Sequence, residues 1–401
     1  MARNNQNGII GFLIITVILY SLMPILSVVF SQYLTTYSYM LICAFTFLSI
    51  TFAHGFQSFE KYFSMLLPFI FYQALTLIYR TSDFMLWGYS VLLFLLPLII
   101  GQFFFFEADT VSINRSFSAF RFALVATIIT TIAGCIRNPT AARILATIDN
   151  AQDARNISFT WQNIGGYGFV YTVVLLYPLI IYAYKQKRIA WFIFVPLAIS
   201  AFALAIVTEY ATALLLLITS SILIFLSRKI SLKGIVIFGI FSVIFILLFQ
   251  GVISDLLISL ADRVDSKILS DRIIAFAGGR RSLEASDDKR IWLYRYSLET
   301  FLSSPLFGNM FVRHGSVGGH SAILDTLAQY GLIGLGVLYA MYKRIYNVFI
   351  KPYSNNSGYG FIVWTFIQAI FLSAINTGLW FEVLALYMPI ILFAINNKKR
   401  F

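Results

Sequence analysis

Residues 84–106 contain no charged side chain, and the run is long enough to cross a bilayer as a helix. A hydrocarbon core of roughly 30 Å needs about 20 residues in a helix. Further predominantly apolar runs of spanning length lie at 8–30, 37–53, 62–79, 117–136, 164–184, 190–207, 210–227, 234–253, 331–349, 358–376 and 379–395. Hydrophobic residues make up 59% of the 401 positions and charged residues 11%, which no soluble fold can bury. The pattern predicts an all-α polytopic membrane protein of about 12 transmembrane helices.

The basic residues orient those helices. With the N-terminus in the cytoplasm, alternate loops carry Arg3, Lys61, Arg115, then Lys185, Lys187 and Arg188. Arg228, Lys229, Lys233, Lys343, Arg344, Lys351 and Lys398–Arg400 follow on the same side, while the short opposite loops hold Arg80. Cytoplasmic loops collect Lys and Arg, so both termini are expected in the cytoplasm. The apolar run after MARNNQNG lacks a small-residue cleavage site and reads as the first span. Twenty-nine basic residues against 17 acidic give a net charge of +12, but they flank spans, so nucleic acid is not expected as a partner. Cys43 and Cys135 fall in apolar runs as small buried hydrophobes, and two cysteines imply neither a disulfide framework nor a zinc site.

This reading divides the chain into spans 1–9 over 1–253, a long external segment at 254–330, and spans 10–12 with a tail over 331–401. A shorter external loop at 137–163 carries Arg137, Arg143 and Arg155. The long segment holds nine Lys or Arg within 254–320. Long loops translocate largely regardless of charge, so they leave the orientation unchanged. Residues 254–272 read as an amphipathic surface helix, broken at Gly278-Gly279. A second helix over 282–308 has Ser286 as cap and Pro305 and Gly308 as terminators. On it Arg290, Tyr294 and Ser297 share a stripe, while Arg295 points away. After a glycine-rich turn comes His320, then Ser321, which can cap a helix bearing Asp325; Gly331 and Gly334 mark entry into the next span. A histidine between a flexible turn and a helix start can exchange a proton near neutral pH. Its rival, His314, lacks the spacing described next, and His54 lies at a cytoplasmic edge.

In order and spacing these residues resemble the O-antigen polymerase and O-antigen ligase superfamily of bacterial envelope glycosyltransferases. The matching positions are Arg290, Tyr294, Pro305 and Gly308, then His320-Ser321, Leu324, Leu327-Ala328 and Gly331-Leu332-Ile333-Gly334. The motif covers about 60 residues. Ligases of the family carry an arginine where this chain has Tyr210, and His320 is followed here by Ser rather than Asn, which favours polymerase over ligase.

The resemblance implies a GT-C-like architecture in the bacterial inner membrane, with its active site on the periplasmic side. It implies a donor glycan on undecaprenyl pyrophosphate, with a chain-length regulator and a flippase as candidate partners. His320 is then the general base, and Arg290, Arg137, Arg143 and Arg295 are candidates for the pyrophosphate. Tyr294, Asp325 and Glu382 are candidate glycan contacts. Adjacent acids such as Asp287-Asp288 suit a helix dipole better than a metal, so no metal and no cofactor are expected.

Overall fold

A computed structural model describes residues 2–33, 35–53, 55–79, 84–106, 110–145, 153–226, 258–259, 280–312, 317–356 and 358–396. Among the described residues there is no strand, and the molecule is built from helices. They are α1 (Ala2–Leu22), α2 (Pro24–Gln32), α3 (Thr35–Ala53), α4 (Gly55–Tyr79), α5 (Phe84–Phe106) and α6 (Thr110–Arg137). Two short helices follow, α7 (Ala141–Ile144) and α8 (Asp153–Trp161), then α9 (Tyr167–Lys185), α10 (Trp191–Val207) and α11 (Ala211–Leu226). The C-terminal part holds α12 (Arg280–Ser303), α13 (Ala322–Ile345), α14 (Tyr359–Ile375) and α15 (Met388–Asn396).

Among the described residues three helices are individually long and apolar enough to cross a membrane: Val111–Arg137, Tyr167–Lys185 and Ala322–Tyr353. A fourth candidate is the pair Gly8–Leu22 and Pro24–Gln32, bent by 106°. Shorter apolar helices occupy most other expected positions, including Ser90–Phe105, Trp191–Val207 and Tyr359–Ile375. The structure is thus that of a helical protein with three to four candidate membrane-spanning helices among the described residues, compatible with a helical membrane protein. The expected span at 234–253 and surface helix at 254–272 lie outside the described residues, apart from a helical pair at 258–259.

The bend corrects the reading of 8–30 as one continuous span. Met23 is extended (φ −112°, ψ 102°) because it precedes Pro24, whose ring disfavours helical backbone in the residue before it. The start of α12 departs from expectation too. Ser286 lies inside the helix, since Arg280, Arg281, Leu283, Glu284 and Ala285 are good helix formers and carry it past the anticipated cap. The break in α13 falls where the glycines placed it, at Gly331 (φ 60°, ψ −151°).

The bundle core is aromatic and aliphatic. Tyr177, Tyr182, Tyr387, Phe69, Phe103, Phe104 and Phe349 are among its largest fully buried side chains. Helix α1 packs on α3 and α6, α9 on α10, α11 and α14, and α12 on α13, which in turn packs on α4. A π-helical turn at Val383–Tyr387 precedes α15. Pro389 follows it, and in a regular α-helix its ring would clash with the carbonyl of Ala385, four residues back; the wider turn relieves that clash. Gly101 on α5 lies against that carbonyl, where a Cβ would collide with the Ala385 oxygen.

Candidate functional site

The residues of the two halves of the long-segment motif meet in space. Helix α12 ends at Ser303, and the turn after it is tied to the middle of α13. The Asn309 amide donates to the Ala328 carbonyl (2.8 Å), and the Leu332 amide donates to the Pro305 carbonyl (2.8 Å). Two glycines make this approach possible. Gly308 (φ 57°) lies against Ala328 and Gly331 (φ 60°) against Leu306, and a Cβ at either would run into backbone. Met310 is buried with Leu75 and Tyr330, so the turn is also seated on α4.

The turn bearing His320 is held from below by one carboxylate. Asp325 Oδ1 accepts from the Ser297 hydroxyl (2.7 Å) and the Gly319 amide (3.1 Å), and Oδ2 accepts from the Ser321 amide (3.1 Å). Ser297 in turn accepts from the Gly318 amide (2.9 Å), and Gly318 is pressed so closely on Leu293 that no side chain fits. Ser321 caps α13 as expected, accepting from the Leu324 amide (3.1 Å). His320 itself is half-buried between these bonded neighbours.

This assembly rests on the connection after α14. The Ser321 hydroxyl donates to the Ala374 carbonyl (2.6 Å), Tyr294 Oη to the Ile375 carbonyl (2.8 Å), and the Ala322 amide to the Asn376 carbonyl (2.8 Å). Tyr294 and Asp325, expected as glycan contacts, therefore spend these polar atoms on positioning the His320 turn. Arg290 lies on α12 one turn before Tyr294, with its side chain outside the described residues; His314 lies outside them altogether. Arg295 is on the exposed side of α12 and pairs with Glu299 at 2.6 Å.

The segment after α6, which the sequence reading places outside, reaches the same connection by a different route. Arg143 pairs with Glu209 (3.2 Å), at the tight turn where Glu209 has φ 58°, and Tyr210 Oη donates to the Ala142 carbonyl (2.9 Å). The Tyr210 ring contacts Tyr167 and Tyr171 at 5.3 and 5.9 Å between centroids. Tyr171 and Tyr167 then contact Trp380 at 5.8 and 6.4 Å. Arg137 is exposed at the end of α6, and Arg155 falls on α8 with its side chain outside the described residues.

The second route ends, at Trp380, on the wall of a cavity of about 600 Å³; the first ends on Ala374–Asn376, directly before the lining residue Thr377. The cavity is lined by Tyr20, Ser21, Tyr39, Trp380, Glu382 and Tyr387 together with apolar side chains from α5 and α9. Glu382 accepts from Tyr387 Oη (2.6 Å), which is 2.6 Å from the Ser21 hydroxyl. Trp380 has φ 56°, an unusual backbone for a bulky residue, and its buried indole Nε1 has no hydrogen-bond partner. Asn376 Nδ2 is buried and unpaired as well. Strained backbone and orphaned donors are costly and tend to mark functional sites. Sequence reasoning picked out Glu382 but missed Trp380; the Asn376-Thr377-Gly378 interruption between two apolar runs was the available signal.

Chemically, the arrangement offers a fixed histidine, an aromatic-walled cavity, one carboxylate and unpaired N–H donors. Among the described residues no cluster of three or more metal-ligand side chains occurs. No family model, curated protein or solved structure matches this chain.

Proposed function

We propose that the chain is a membrane glycosyltransferase that polymerises undecaprenyl-pyrophosphate-linked oligosaccharide repeat units at the outer face of the bacterial inner membrane. The observation that carries this reading is the convergence of the motif-bearing segments on one connection, 374–380, beside an aromatic cavity with a carboxylate. Aromatic faces, carboxylate oxygens and unpaired N–H groups are the groups that bind sugar rings and hydroxyls.

In the proposed reaction His320 takes the proton of an acceptor sugar hydroxyl, whose oxygen forms a bond to the donor anomeric carbon. The bond from that carbon to the pyrophosphate oxygen breaks with inversion, and the lipid pyrophosphate leaves with the electron pair. General-base assistance of this kind is commonly worth ~10²–10⁴ in rate. Arg290 is the first candidate to neutralise the leaving group, because a guanidinium fork matches its oxygens. Arg143 and Arg137, on the neighbouring external segment, are the further candidates. The resemblance motivates ligase as the alternative within the enzyme class. A lipid-linked oligosaccharide transporter is favoured by a different observation, Glu382 within a cavity among the helices.

Surface glycans of the host strain with this gene deleted distinguish the three. Lipid A–core bearing a single repeat unit and no ladder is expected for a polymerase. Bare core with long glycans still on the lipid carrier indicates a ligase, and units trapped on the cytoplasmic face indicate a transporter. Restoring the gene as His320→Ala is expected to leave the protein membrane-inserted and the ladder absent. A full ladder from that variant would falsify His320 as the base.

A further inference from the structure

A second cavity lies on the flank of the bundle, away from the His320 turn. It measures about 730 Å³ and is walled by α6, α9, α10 and α15. Its lining is apolar along most of its length, from Leu124, Ile129, Leu176, Leu197 and Ile391. At one end the character changes. Arg121 of α6 and Arg188, just after α9, both line the groove there. Among the described residues neither belongs to an ion pair, the two such pairs being Arg143–Glu209 and Arg295–Glu299. Arg121 lies over the Phe117 ring at 5.4 Å, which lays its guanidinium along the groove wall.

We propose that this groove is a binding site for one anionic glycerophospholipid, with one of its two acyl chains in the apolar channel and the phosphate between Arg121 and Arg188. Length and charge both argue for that occupant. From Arg121 to Ile129 the groove follows eight residues of helix, about 12 Å, which is most of one leaflet of a ~30 Å hydrocarbon core. Two guanidinium groups at the polar end give charge complementarity to a phosphodiester, and poor screening near lipid strengthens it. Basic pockets between membrane helices commonly hold anionic headgroups. The same basic residue, Arg188, lies in a loop assigned to the cytoplasm by the distribution of Lys and Arg, so the lipid is drawn from the cytoplasmic leaflet. The site is independent of the proposed glycan chemistry, which concerns the opposite end of the bundle.

Native mass spectrometry of the purified full-length protein with added dioleoylphosphatidylglycerol, dioleoylphosphatidylcholine or undecaprenyl phosphate tests it. One phosphatidylglycerol is expected to be retained at least about tenfold over phosphatidylcholine, a difference of about 1.4 kcal/mol. The double variant Arg121→Gln/Arg188→Gln should lose that preference, and Ile129→Trp, which fills the channel from an exposed position (60%), should lose retention of both phospholipids. Equal retention of the two phospholipids, or a preference that survives the arginine changes, overturns the proposal. Displacement of phosphatidylglycerol by equimolar undecaprenyl phosphate also overturns it, by assigning the groove to a polyprenyl carrier.

Discussion

The α12–α13 hairpin and the Arg143 segment reach the 374–380 connection with different physics. The α12–α13 hairpin arrives through directional bonds: a carboxylate with three donors, a capping serine, and two left-handed glycines at backbone contacts. The Arg143 segment arrives through ring contacts, a single hydrogen bond from Tyr210 to the Ala142 carbonyl, and one ion pair whose arginine side chain is 56% exposed. Hydrogen bonds and steric contacts of that first kind fix atoms to within tenths of an ångström. Rings in contact tolerate sliding and tilting at small cost. The difference assigns precision to the segment bearing His320 and adaptability to the one bearing Arg143. Under the proposed function, that division fits a base that must meet one hydroxyl and cations that follow a departing group.

Substitutions that remove directional contacts should therefore cost more than those that loosen ring contacts. Gly331→Ala places a Cβ against Leu306 on a left-handed backbone, and about 3 kcal/mol or more of stability should be lost. Thermal unfolding in detergent measures the loss, and protease cleavage between α12 and α13 shows whether the hairpin has detached. Asp325→Ala strands the Ser297 hydroxyl and two amides, for an expected cost of about 2–4 kcal/mol, read in the same assay. If that variant unfolds with the parent, the carboxylate does not organise the turn and the contrast collapses.

On the other segment, Tyr210→Phe keeps the ring and loses only the bond to Ala142, about 1 kcal/mol. Arg143→Ala should change stability by less than about 1 kcal/mol, because its ion pair is largely hydrated. Under the proposed function the same variant lowers the polymerisation rate, so a small shift in melting together with a slower rate would sharpen the contrast. A large melting shift would place Arg143 among the structural residues instead.

The helices at 84–106 and 190–207 were legible because long uncharged runs leave little alternative to a buried helix. The Ser321 cap and the Gly331 break were legible because each rests on local chemistry, a hydroxyl before a helix and a residue free of Cβ strain. The bend at Met23–Pro24 was visible as a proline within an apolar run, yet hydrophobicity alone cannot distinguish a bent run from a straight one. Convergence on 374–380 was not legible. It depends on pairings across 53 and 81 residues, such as Ser321 with Ala374 and Tyr294 with Ile375, and no local pattern encodes them. Trp380 escaped notice for the same reason, since its unusual φ is imposed by what surrounds it.

The seat of Gly101 on the Ala385 carbonyl bears on how the cavity of about 600 Å³ can admit anything. Backbone pressed into backbone blocks sliding of α5 along the C-terminal helix, so those two elements translate as one rigid body. The walls they contribute, including Phe94, Pro97 and Glu382, are then a fixed jaw. The opposing side, with Tyr20 and Ser21 of α1, Tyr39 of α3 and Gly168 of α9, is tied to that jaw through the Ser21–Tyr387 hydrogen bond, so enlarging the chamber there requires that bond to break.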